Sequence, residues 1–97
     1  MVKLVVSNSD RKGKKYKAVF TYKDGKTKTT HFGSRGMEDY TTHKDKERRS
    51  RYRARHKKDL DTKDFKRAGF LSYYLLWGDH TTLKKNLDDY RKRFNLS

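Results

Sequence analysis

Between Lys44 and Lys58 the chain reads KDKERRSRYRARHKK, nine Lys or Arg against two Asp or Glu, with Tyr52 and Ala54 as its only apolar side chains. The composition suits a helix, but such a helix has no apolar stripe wide enough to be buried. It must lie on a surface, held by one ring, and the core must come from elsewhere. Little apolar material remains: hydrophobic residues make up 31% of the 97 and charged residues 40%, against an ordinary apolar share of about 45–50%. The chain does hold 7 Tyr, 5 Phe and Trp77, and large rings build a compact core from few residues. These features predict one domain over residues 1–97 with a thin core, since a second core would leave each half too short to bury enough apolar surface.

Val2, Leu4 and Val6 alternate with Lys3 and Val5, the period of a strand. After the polar stretch SNSDRKGKK, the residues Tyr16, Ala18, Phe20 and Tyr22 share one face of a second strand, and KDGK signals a hairpin into a third strand from Lys26 to about Phe32. A two-residue Asp24-Gly25 loop would put Phe32 on the face opposite Tyr16 and Phe20. A three-residue Lys23-Asp24-Gly25 loop with Gly25 left-handed puts Phe32 across from Tyr16 and keeps the rings together, so it is favoured. Residues 1–33 thus read as a three-stranded antiparallel meander with one aromatic face in need of cover.

About three helices supply that cover. Thr42 and Asp45 have capping-box spacing, which predicts a basic helix from His43 to Lys58 within residues 42–58. In residues 65–77, Phe70, Tyr73, Tyr74 and Trp77 fall at i, i+3, i+4, i+7, with Gly78 placed to cap the helix end. In residues 82–95, Thr81 or Thr82 caps a helix whose stripe is Leu83, Leu87, Tyr90 and Phe94. The predicted class is α+β: an N-terminal meander covered by about three helices.

At about 100° per residue the basic helix has two faces. Asp45, Arg48, Tyr52, Arg55 and His56 share an inner stripe, read as a structural polar network around the one ring. Lys46, Arg49, Arg53 and Lys57 form a second stripe without an acidic member, the candidate nucleic-acid-binding face, its cations spaced to follow phosphates. Lys12, Lys14, Lys15 and Lys17, with Lys23, Lys26 and Lys28 at the hairpin, either extend that footprint or guard the sheet edges. Tyr73, Tyr74 and Trp77 are read as core and not as base-stacking rings.

The 27 Lys and Arg against 12 Asp and Glu leave a net charge of +15, and a body so charged attracts polyanions. Enzyme signatures are missing: neither GxGxxG nor GxxxxGK[ST] occurs, and His31, His43, His56 and His80 lack zinc spacing. His43, Asp45 and His56 hold the residue types of a hydrolytic site, but Arg48 and Arg55 beside them point instead to an ion-pair network. No catalytic residue, metal, cofactor or small-molecule substrate is expected. The longest apolar run, FLSYYLLW, has eight residues where a membrane span needs about 20. With no cysteine and no signal-peptide pattern, an intracellular, non-secreted chain is expected.

HFGSRGMEDYTTHKDKERRSRYRARHKK, followed by AGF at Ala68 to Phe70 and LLW at Leu75 to Trp77, resembles a family of small basic proteins of large and giant DNA viruses that infect algae and protists. The resemblance covers roughly residues 29 to 94, with the N-terminal strands matching only in general character; where such proteins often carry a Trp before AG, this chain has DLDTKDFK. The resemblance implies a viral origin and no reaction, hence a protein of the virion or the infected-cell interior. The reading is a non-enzymatic polyanion-binding protein whose partner is nucleic acid, DNA ahead of RNA. The alternative is a minor capsid or cement protein whose basic face meets acidic viral structural proteins. A modulator of a host complex is the third class.

Overall fold

A computed structural model describes residues 1–97. Strands β1 (Lys3–Asn8), β2 (Lys14–Thr21) and β3 (Thr27–Ser34) form an antiparallel sheet in the order β1-β2-β3. The chain is α+β, as its pattern predicts. Hairpin register follows the three-residue loop: Gly25 has φ 89°, Tyr22 and Lys26 close the turn through a 2.8 Å backbone bond, and Tyr16 pairs with Phe32. Their rings lie 5.8 Å apart. Leu4, Ala18, Phe20 and Phe32 are fully buried on one face, and slipping the hairpin by one residue would turn Phe32 outward.

The outer edge of β1 is covered by the end of the chain. Leu4 N–H donates to Ser97 O at 2.9 Å and Ser97 N–H to Val2 O at 3.0 Å, while Arg91 donates to Leu4 O at 2.7 Å. The start of that edge, at Val2 and Leu4, is thereby paired without another strand.

The helical half is more broken than its periodicity predicts. Helix α1 (Tyr40–His43) precedes α2 (Lys46–His56), which runs into a 3-10 turn (Lys57–Thr62) where an exit loop was expected. Helix α3 (Ala68–Leu71) passes into a π turn (Ser72–Leu76), and α4 (Leu83–Arg93) closes the fold.

Three expectations are corrected here. The basic helix does not start at His43 behind a Thr42 cap: Asp39 caps α1 in a box with Thr42, Lys44 turns left-handed at φ 58°, and Asp45 caps α2. Two overlapping boxes compete for Thr42, and the first takes it. The second helix begins at Ala68 and not at Phe65, and its inner side is Phe70, Leu71, Leu75, Leu76 and Trp77, with Tyr73 and Tyr74 half-buried. The π turn, in which Trp77 N–H bonds to Ser72 O at 3.2 Å, changes the angle between successive side chains, so α-helical spacing misplaces the stripe. Gly78 is not a left-handed cap, since it is absent from the positive-φ glycines. It is there for space: a Cβ at that position would lie 2.1 Å from Tyr74 O and 2.7 Å from Asn86 Oδ1.

The C-terminal helix follows its pattern, with Thr82 accepting from Lys85 N–H and Tyr90 buried. Asn86, also buried, donates to Leu75 O at 2.9 Å and to His80 O at 3.0 Å. These bonds tie α4 to the end of the π turn.

Candidate anion-binding cleft

Helix α2 stands on its capping residue and on Tyr52. The Asp45 carboxylate accepts from Glu47 N–H at 3.0 Å and Arg48 N–H at 3.3 Å, and Asp45 N–H donates to His43 Nδ1 at 2.8 Å. Tyr52 lies flat on Trp77, ring centroids 4.2 Å apart and 6° between planes, with His56 stacked on its other face at 4.1 Å. Burial, and next the nearby Asp59 charge, push the Tyr52 phenol up to about 12.

The two flanks of Tyr52 do different things. On one flank Arg53 donates from Nε to Trp77 O at 2.8 Å and from a terminal nitrogen to Asp79 at 2.9 Å, and Arg49 donates to Gly78 O at 3.3 Å. These guanidiniums satisfy carbonyls where the α3 and π segment ends, where cations are favoured. Each also sits over a ring, Arg49 over Tyr40 at 4.7 Å and Arg53 over Tyr73 at 5.7 Å. The Arg53 hydrogen bond holds the Asp79 carboxyl below its usual range. Of the four cations read as one phosphate-following row, only Lys46 and Lys57 are exposed; Arg49 and Arg53 are turned into the fold. Helix phase gives the angle of a side chain but not which neighbour lies at that angle.

On the other flank Arg48, Arg51 and Arg55 face a cleft of about 590 Å³ between α2, the end of β3 and the start of α3. Lys14 and Lys15 come from the sheet side, and Phe32, Leu76 and Trp77 lie at its base. Three carboxylates also line it, each with a partner: Asp39 with Lys15 at 2.7 Å, Glu38 with Arg48 at 2.8 Å, and Asp59 with His56 at 3.1 Å. The Arg48 guanidinium holds the Glu38 carboxyl below its usual range. Lys14 and Arg55 have no carboxylate within 4.0 Å, and Arg51 has only Glu47 at 3.9 Å on the exposed side.

Asp45, Arg48, Tyr52, Arg55 and His56 are therefore not joined in one hydrogen-bonded network. Asp45 caps, Arg48 and His56 pair with separate carboxylates, Tyr52 stacks, and Arg55 is free. His43 and Asp45 sit at the start of α2 and His56 at its end, eleven residues along, so they do not converge. No group of three His, Cys, Asp or Glu side chains gathers where a metal could bind, and no helix is long and apolar enough to cross a membrane.

Residues 4–56 match the sequence pattern of DUF5754, described as a family of unknown function. The chain belongs to this family. The DUF5754 segment takes in the three strands, of which the resemblance above covered only β3 from about residue 29, and ends at the last residue of α2. It supplies the whole cationic wall of the cleft, Lys14, Lys15, Arg48, Arg51 and Arg55, while Leu76 and Trp77 lie beyond it. No curated protein and no solved structure matches the chain.

Proposed function

We propose that this DUF5754 chain is a non-enzymatic polyanion-binding protein of viral origin, carried in the virion or the infected-cell interior, with nucleic acid as its partner and DNA ahead of RNA. One observation carries the reading. Eight of the 27 Lys and Arg lie within 4.0 Å of a carboxylate, which leaves nineteen without one. Lys46, Arg51, Arg55, Lys57 and Lys58 are exposed along α2, and Lys12 is exposed nearby in sequence to the cleft residue Lys14. Such cations bind phosphates by displacing condensed counterions, with little preference for sequence.

The test is the salt dependence of binding to duplex DNA. The logarithm of affinity should fall steeply and linearly with the logarithm of salt concentration, by about 0.9 per phosphate neutralised. Indifference to DNA and RNA at low ionic strength would end the reading.

The alternative, a minor capsid or cement protein whose basic face meets acidic viral structural proteins, would draw on the same exposed cations. Phe70, Leu75, Leu76 and Trp77 are buried in the chain's own core, and the large exposed hydrophobics are Met1, Val5 and Met37. A chain that keeps fixed positions in an ordered shell after genome release would favour that reading instead.

A further inference from the structure

The sheet has one covered face and one open face. Leu4, Ala18, Phe20 and Phe32 point into the core, where Phe20 meets Phe65 with ring centroids 5.8 Å apart. Helix α2 lies on that same side, resting through Tyr52 on Trp77 of the covering layer. The alternate residues between Lys3 and Ser7, Lys17 and Thr21, and Thr27 and His31 point the other way. Val5 and Val19, paired across β1 and β2, take no part in the core, and Val5 is 45% exposed. No acidic residue lies on this face. It carries Lys3 and Lys17, and Lys3, opposite Thr21, shares the hairpin end of the sheet with the exposed Lys23. Lys3, Lys17 and Lys23 have no carboxylate within 4.0 Å; the ion pair at that end joins Lys26 to Asp24 at 4.0 Å.

Free cations therefore stand on two sides of the molecule with the core between them: Lys46, Arg55 and Lys57 beside α2, and Lys3, Lys17 and Lys23 on the open sheet. One duplex cannot meet both. Its persistence length is about 500 Å, whereas the molecule spans 42 × 28 × 23 Å. A duplex seated against α2 leaves as a nearly straight rod and does not turn round to the sheet. The open face keeps its charge and has the size for a second one: three strands make a surface about 10 Å wide, against about 12 Å for a major groove. We propose that the chain bridges two duplex segments, one held by the exposed cations of α2 and a second, more weakly, by the open sheet face through Lys3, Lys17 and Lys23. Bridging rests on the polyanion reading and adds an action to it. A protein with one cationic side coats a duplex; one with two draws duplexes together.

The experiment fixes one duplex to beads and measures how much of a second, labelled duplex the full chain carries down at low salt. Affinity for a single short duplex is measured beside it. The parent should capture the labelled duplex. The Lys3→Gln/Lys17→Gln/Lys23→Gln variant should bind the single duplex within about twofold of the parent and capture roughly fivefold less of the second. Its unchanged binding to one duplex shows in the same sample that the fold is kept. The Lys84→Gln/Lys85→Gln/Lys92→Gln variant removes equal charge from exposed positions on α4 and should capture as the parent does. Four results would overturn bridging and leave the polyanion reading standing: binding of one duplex by the parent without capture of a second, undiminished capture by the sheet variant, equal losses in the two variants, or loss of single-duplex binding in the sheet variant alone. Absence of any binding to the single duplex by the parent would remove both.

Discussion

Tyr52 is held flat between Trp77 and His56, and the cost of ionising it there sets a pH limit on the fold. Its phenol is pushed up to about 12 from an ordinary 10.0, so folding favours the neutral form. That contribution is complete below pH 10 and is lost as pH rises from 10 toward 12. Thermal melts across this window should show the parent losing stability relative to Tyr52→Phe; a difference independent of pH would contradict the burial argument. Gly78 is a second fixed point. Ala there would set a Cβ 2.1 Å from Tyr74 O, and Gly78→Ala should cost about 3 kcal/mol in denaturant unfolding. The hairpin register was readable residue by residue, because only one loop length keeps Phe32 beside Tyr16. The role of Gly78 was not, since a glycine after a helix looks the same in sequence whether it supplies a left-handed turn or an empty space.

Helix α2 and the end of the α3 and π segment are joined by Arg53, whose guanidinium bonds both Trp77 O and Asp79. Arg53→Gln should destabilise the fold by about 2 kcal/mol, since it leaves a carbonyl and a carboxylate without their charged donor. Asp79→Asn should also destabilise at neutral pH, by the loss of the ionic partner of Arg53. Because the Asp79 carboxyl is held below its ordinary 3.8, the gap between parent and Asp79→Asn should close as pH falls through that range. A gap independent of acid would show the pair to contribute nothing. The existence of a basic helix was legible from its composition, and that of α4 from Leu83, Leu87, Tyr90 and Phe94. The break at Lys44 was hidden by two overlapping capping boxes, and the π turn by a periodicity argument that assumes α geometry. Both errors rotate side chains relative to their neighbours. Arg49 and Arg53 keep the phase expected within α2; the end of the α3 and π segment lies at that angle and takes their guanidiniums.

Across the whole molecule, the surplus of positive charge was visible in the composition, but its distribution was not. Folding directs acidic side chains to caps and to nearby cations, and it turns Arg49, Arg53 and Arg91 into carbonyl partners. What remains outside is a set of exposed cations, Arg51 with only the exposed Glu47 near it and Lys46, Arg55 and Lys57 with no carboxylate within 4.0 Å, in an arrangement that composition could not have revealed. The central claim is that this exposed set, and not the basic helix as a whole, meets the polyanion. Its most direct test compares salt slopes for duplex DNA between the parent chain and a variant with Lys46, Arg51, Arg55 and Lys57 replaced by Gln. A slope flattened by roughly three to four units is predicted. An unchanged slope would contradict the account.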